Sequence, residues 1–175
     1  VVKADGYNHG AGVIAKNVNE FSSFAVATAD EAIALRAFTA KPVLMLGCAD
    51  KAEMRDLLRE KITLCAWENS QIRDIASVVG GTGEQARVHI ALDTGMNRIG
   101  VKDMQQADNL CDMCNLCGVK ITGVFSHLYD CANDEISARQ LQKFQVLSRV
   151  FPQNAIRHLS ASGRATDPNY AFSAV

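Results

Sequence analysis

An α/β fold with parallel strands is predicted by three features of the 175-residue chain. Short runs rich in Val, Ile and Leu, of strand length, alternate with longer segments of helical period, the pattern of βαβ units. The composition is 48% hydrophobic and 21% charged, with 12 Gly and 3 Pro, which excludes a disordered, collagen-like or low-complexity chain. Breaks in the rhythm are confined to residues 80–83 (Gly-Gly-Thr-Gly) and 152–154 (Pro-Gln-Asn). Both read as loops from a helix to the next strand, so neither divides the chain into domains.

The elements follow in order. Strands are expected at residues 1–3, 24–27, 43–46, 63–66, 88–92, 121–126 and 156–160, seven in all. Helices are expected at 12–20, 29–38, 50–60, 68–79, 103–116 and 134–150. Asp30 with Glu31, and Asp134 with Glu135, place negative charge in a first helical turn, where the dipole favours it. The run at 80–83 precedes a strand and has no following Lys-Ser/Thr, so it is a loop and not a phosphate cradle. Cys111, Cys114 and Cys117 have the spacing of a metal or cluster site, yet they share one side of the 103–116 helix with Leu110 and Met113. A buried apolar stripe is the simpler account, and no metal is expected. Six irregularly spaced thiols fit a reducing compartment.

Seven parallel strands with crossover helices suit either a doubly wound sheet or most of an eight-stranded barrel. In a barrel, polar residues after the strands converge at one mouth. Lys3, Tyr7, Asp30, Arg98, His127 and Ser162 occupy such positions, which favours an incomplete (β/α)8 TIM-type barrel with about seven of eight strands. A closed barrel typically needs about 250 residues, so residues 1–175 are expected to be part of a larger domain. The 18 Lys and Arg against 19 Asp and Glu, a formal charge of -1, supply no footprint for nucleic acid. No apolar run is long enough to span a membrane in the visible segment, and a cytoplasmic location is expected.

Lys3 carries the first chemical reading. At the end of an apolar strand its ammonium is partly desolvated, which favours the neutral amine that attacks carbonyls; position alone equally allows a lysine reaching out to solvent. The run Lys3-Ala-Asp-Gly-Tyr7-Asn-His9-Gly10 resembles the pyridoxal-phosphate lysine motif of the alanine racemase family. Leu92-Asp93-Thr94-Gly95-Met96-Asn97-Arg98-Ile99-Gly100 is similar to its second signature. Phe125-Ser126-His127-Leu128 and His158-Leu159-Ser160-Ala161-Ser162 resemble the segments after the sixth and seventh barrel strands. The resemblance covers the whole chain with matching order.

The resemblance implies a pyridoxal 5'-phosphate enzyme that interconverts L- and D-alanine through an aldimine by two-base proton transfer, supplying D-alanine for peptidoglycan. It implies that Lys3 binds the cofactor and acts as one base, that Tyr7 and Ser162 offer hydroxyls to its phosphate, and that Arg98 contacts its phenolic oxygen and the substrate carboxylate. His127 and His158, with Asp30 less securely, would form a hydrogen-bonded network behind the cofactor. His9 is expected to be structural within the turn, and His89 has no motif to support it.

Two departures qualify the resemblance. Many family members carry a lysine two residues before Asp93, where this chain has Ala91, so Arg98 lacks that partner. The family's opposite-face tyrosine and the arginine at the pyridine nitrogen lie beyond the matched region, in keeping with an absent C-terminal β domain. The 175 residues alone are therefore expected to be inactive, and the full-length protein to be a homodimer acting on a small amino acid. Alternatives are a non-catalytic pyridoxal-phosphate carrier of the same barrel class, a serine racemase relative, or a decarboxylase with the same lysine; the Asp93 to Arg98 signature favours the racemase.

Overall fold

The computed structural model describes residues 1–80, 85–170 and 172. In chain order its elements are a helical turn α1 (Lys3–Asn8), α2 (Ala11–Asn17), β1 (Phe24–Val26), α3 (Ala29–Arg36), β2 (Val43–Met45), α4 (Lys51–Arg59), β3 (Leu64–Ala66) and α5 (Asn69–Val79). Then come β4 (Arg87–Ala91), α6 (Met104–Cys117), β5 (Lys120–His127), α7 (Asp134–Leu147) and β6 (Ile156–Ser160). The contacts divide the chain into two compact units, Val1–Cys65 with Arg73–Arg87, and Ala66–Ile72 with Val88–Val175.

In the first unit β1 and β2 pair in parallel, with Phe24 opposite Val43 and Val26 opposite Met45. A bridge between Leu44 and Thr63 extends the pairing. All three residues of β2 are buried, as expected of a parallel strand covered on both faces. Helices α3 and α4 begin where sequence demands it. Thr28 and Glu31 form a capping box at α3, and Asp50 and Glu53 form another at α4, each satisfying two otherwise orphaned backbone groups. The Arg36 guanidinium donates to the carbonyls of Thr39, Lys41 and Glu60 at 3.0, 2.8 and 3.0 Å, which ties the end of α3 to the turn before β2.

In the second unit β5 and β6 are parallel neighbours, Gly123 facing Ile156 and His127 facing Ser160. Strand β4 lies on the other side of β5, so that the order in this unit is β4-β5-β6. Asp103 caps α6, Asn133 caps α7, and Gly118 closes α6 at φ 67°. The left-handed conformation there suits glycine, the usual residue after a helix end. Val88, Ile90, Leu110, Val124, Phe144, Phe151 and Leu159 are buried in this unit's core. Cys111, Cys114 and Cys117 all lie on α6, with Cys114 fully buried and the other two partly so; the stripe reading of these thiols therefore describes their placement.

Six strands are present among the described residues where seven were expected. Residues 1–3 make no ladder: the Val2 N–H donates to the Ala25 carbonyl at 2.8 Å, and the backbone then leaves the extended region. Ala4, Asp5, Gly6, Tyr7 and Asn8 have φ of 50, 51, 64, 54 and 69°, so α1 is a left-handed turn. That conformation costs an L-residue roughly 1–2 kcal/mol. The 80–83 loop falls largely outside the described residues; the 152–154 segment is a turn, as expected. Among the described residues no helix is long and apolar enough to cross a membrane, and no group of three or more His, Cys, Asp or Glu could hold a metal ion.

Candidate functional site

The first unit holds Lys3 and Tyr7. Lys3 is half-buried at the entry to the left-handed turn, and Tyr7 leaves the same turn with its side chain 61% exposed. The turn, with four non-glycine residues at positive φ, is held at its first residue by a carboxylate far away in sequence. The Ala4 N–H donates to Glu31 Oε1 at 2.7 Å, while the Ala27 and Thr28 N–H groups donate to Glu31 Oε2 at 2.7 and 3.3 Å. Asp5 adds a second clamp by accepting from the Ala11 N–H at 2.8 Å. His9 Nδ1 lies 3.0 and 3.1 Å from the carbonyls of Gly6 and Tyr7, so this nitrogen is the donor and His9 is part of the turn, as expected.

The sequence marks Glu31 only as negative charge in a helix's first turn; as a site acid it marks the neighbouring Asp30. Asp30 is exposed, whereas Glu31 is the acid bonded to the Lys3 segment. Burial works to raise the Glu31 carboxyl, but the three N–H donors and the nearby Lys3 ammonium outweigh it and hold it below the usual carboxylate range. A depressed carboxyl stabilises the fold above its unfolded value of 4.5 and loses that contribution as the pH falls through the lower folded value. Replacing Glu31 by alanine removes the cap of α3 and the clamp on Ala4 together. The expected cost is about 1–3 kcal/mol at neutral pH, read as a lower unfolding midpoint in urea, with the difference from the parent protein shrinking below pH 4.

The second unit holds Arg98, His127, His158 and Ser162. Arg98 sits on an exposed loop between β4 and α6 that is closed at its base: Asp93 N–H donates to Val101 O at 2.8 Å and Val101 N–H to Ala91 O at 2.9 Å. Inside the loop Asp93 Oδ1 accepts from the Gly95 and Asn97 N–H groups at 3.0 and 2.9 Å. Asp93 is 1% exposed, and its Oδ2 has no hydrogen-bond partner. A small pocket is lined by Ala91, Met96, Arg98, Phe125 and His127. Ala91 and Arg98 thus line the same small pocket.

His158 is bonded to a histidine that its sequence context did not mark. His89 Nδ1 and His158 Nε2 are 3.0 Å apart, and the Phe125 ring stacks on His158 at 5.1 Å with 13° between planes. Burial drives His89 down to about 4; burial and the neighbouring His89 drive His158 down to about 3. Both rings are neutral at pH 7, and one ring donates to the other. His127 stands at the exposed end of β5. Ser162, also exposed, opens a 3₁₀ turn (Ser162–Arg164) that the Arg164 guanidinium anchors through Asp134, Asp167 and the Cys131 carbonyl.

These donors form a definite chemical set. A primary amine and a phenol hydroxyl share one turn of the first unit; a guanidinium, a hydroxyl and a neutral imidazole with an aromatic neighbour belong to the second. An amine suits an aldehyde, hydroxyls suit phosphate oxygens, and a guanidinium suits a carboxylate. By this chemistry the amine and phenol of the first unit fit a phosphorylated aldehyde, and the guanidinium of the second fits a carboxylate.

The alanine racemase N-terminal domain model matches residues 1–175. The chain belongs to the alanine racemase family. It is similar to alanine racemase 2 of Caldanaerobacter subterraneus subsp. tengcongensis, 32% identical over 98% of this chain and 47% of the relative. The chain thus spans about half the length of the curated relatives it matches. Among solved structures it is similar to an alanine racemase from Clostridium difficile (TM-score 0.91, 28% identity, 99% of this chain and 48% of that one). It is also similar to a histidine racemase from Leuconostoc mesenteroides (TM-score 0.86, 26% identity, 96% and 47%). These likenesses bear out the α/β barrel class expected from the sequence.

Proposed function

We propose that this chain is the lysine-bearing part of a pyridoxal 5'-phosphate-dependent amino-acid racemase that interconverts L- and D-alanine. One observation carries the reading furthest. Lys3 enters a left-handed turn in which Ala4, Asp5, Tyr7 and Asn8 are all at positive φ, and Glu31 holds that turn from 27 positions away. Strain of this kind persists where the surroundings over-determine it, and it clusters at functional sites. Fixing the backbone on the C-terminal side of Lys3 fixes where its amine stands and turns the Tyr7 hydroxyl outward.

In this reading Lys3 holds the cofactor aldehyde, Tyr7 and Ser162 bind its phosphate, and His158, kept neutral and oriented by His89, belongs to its surroundings with His127. When bound, the cofactor spreads over its ring the charge left when the α-proton departs. The chain's own residues do the rest. Arg98 binds the substrate carboxylate and orients the α-carbon, and Lys3 Nζ takes or returns the α-proton on one face. The proton on the other face is handled by a group beyond these residues. We assign residues 1–175 to a partial cofactor-binding barrel domain that continues into a C-terminal β domain, in a cytoplasmic homodimer that supplies D-alanine for peptidoglycan. Ala91 leaves Arg98 without the lysine partner common in the family.

A second reading, racemisation of histidine, is favoured by the likeness to the histidine racemase. The test is to load the complete protein with pyridoxal 5'-phosphate and follow optical activity with L-alanine, L-serine and L-histidine separately. Fastest racemisation of alanine is the expected result. Preference for histidine would move the chain to the second reading, and no racemisation of any of the three would end both.

A further inference from the structure

Gln140, on α7, is 2% exposed and makes three hydrogen bonds to three separate segments of the second unit. Its Nε2 donates to Thr94 Oγ1 at 3.1 Å and to the His127 carbonyl at 3.0 Å; its Oε1 accepts from the Tyr129 N–H at 2.8 Å. Thr94 Oγ1 is in turn 2.8 Å from Ser126 Oγ, and both hydroxyls are buried. Both amide hydrogens are thereby used, as burial away from water requires. A Cβ on Gly95 would lie 3.5 Å from Gln140 Cγ, so the loop is seated directly on the glutamine stem. One end of the network is the base of the Arg98 loop, the other is the C-terminal end of β5 where His127 stands. The Leu92 N–H to Phe125 carbonyl bond joins the strand just before the loop to β5 as well.

We propose that Gln140 is a positioning residue that sets the affinity of the site for the substrate carboxylate, by locking the Arg98 loop to the end of β5. This rests on the reading of Arg98 as the carboxylate-binding group. Gln140 itself touches neither Arg98 nor substrate; it acts through Thr94 and the His127 backbone. Loss of a satisfied buried network is felt at each group left unpaired, so Thr94, the His127 carbonyl and the Tyr129 N–H would all be released by one substitution. Because Arg98 is reached only through the loop, the loss is expected in substrate binding more than in turnover.

The variants are Gln140→Met, which keeps the volume and removes all three bonds, Gln140→Glu, which keeps the acceptor and removes both donors, and Thr94→Val, which cuts the loop's bonds to Gln140 and Ser126 and leaves those of Gln140 to His127 and Tyr129. In the complete protein with cofactor, Gln140→Met and Thr94→Val are expected to raise KM for the amino acid at least 10-fold, with kcat changed less than 3-fold and the cofactor absorbance unaltered. Hydrogen exchange by mass spectrometry, read without substrate, is expected to speed up at least 10-fold in residues 93–101 for both variants, and in residues 127–131 for Gln140→Met. Gln140→Glu is expected to keep protection at Tyr129, whose N–H the carboxylate still accepts, and to lose the bond to the His127 carbonyl, while the Thr94 hydroxyl can turn to donate to the carboxylate. A fall in kcat with unchanged KM, or unaltered exchange in residues 93–101, would overturn the proposal. If the parent protein racemises nothing, the reading of Arg98 fails on that result, while the exchange measurements still decide whether Gln140 locks the loop. Should Gln140→Met fail to fold, Thr94→Val tests the same coupling from the loop side.

Discussion

Gly100→Ala is expected to destabilise the protein by about 2–5 kcal/mol and to dislodge the Arg98 loop. Gly100 has φ of 122°, and a Cβ there would stand 2.5 Å from Asp93 N and 2.7 Å from the Leu92 carbonyl carbon. Those atoms are backbone at the end of β4, so no side chain can swing away to make room. The same atoms form the bridge between Leu92 and Val101 that closes the loop. Relief of the clash therefore opens the loop base. Gly118→Ala is the matched control: its φ is 67°, yet a Cβ there meets nothing within 4 Å. It should cost only the left-handed strain, about 1–2 kcal/mol. Urea unfolding of both variants separates the two contributions; equal losses would show that the clash at Gly100 is accommodated without opening the loop.

Acidification from pH 7 to pH 5 is expected to remove about 2–4 kcal/mol of stability through the His89 and His158 pair. Folding holds these rings at about 4 and about 3, against 6.5 for an ordinary imidazole. Between those values the unfolded chain takes up protons that the folded pair refuses, so stability rises with pH across the window and is fully present above about 6.5. The physical block is space as well as desolvation. Gly123 lies under the His89 ring so closely that a Cβ would come within 2.5 Å of it, which leaves the ring no room to turn away and find water on protonation. His89→Gln keeps a neutral hydrogen-bonding side chain and should reduce the slope of unfolding free energy against pH by about half between pH 6.5 and pH 4. An unchanged slope would mean that other groups govern the acid response.

Much of the fold was legible locally because its signals are local. The caps Asp50, Asp103 and Asn133, and the apolar runs at β2 and β6, each act within a few residues of where they stand. The left-handed turn after Lys3 was not legible in this way. Gly6, Asn8 and Asp5 tolerate positive φ, but Ala4 and Tyr7 do not favour it, and the group that holds the turn at Ala4 is Glu31, an element away. A strand was the natural reading of Val1 to Lys3 because apolar residues do line the approach, yet only Val2 is paired. His89 was equally hidden. Inside an apolar strand it looks like any satisfied core residue, and its partner is 69 positions distant. Gln140 did leave a sequence signal: it lies on the same stripe of α7 as Phe144 and Leu147, and a polar residue on a buried face calls for partners. The candidate residues Lys3, Tyr7, Arg98, His127, His158 and Ser162 were readable from motif order alone. What orders them, Glu31, His89 and Gln140, is set by tertiary packing.

In the proposed reading Lys3 is the residue that binds the cofactor. The direct test is to load the complete protein with pyridoxal 5'-phosphate, reduce it with borohydride, digest it and locate the retained pyridoxyl group by mass spectrometry. The group is expected on the peptide containing Lys3, at that lysine, with none retained in the Lys3→Ala variant. Stable attachment at another lysine such as Lys41 or Lys102, or full retention in Lys3→Ala, would contradict it.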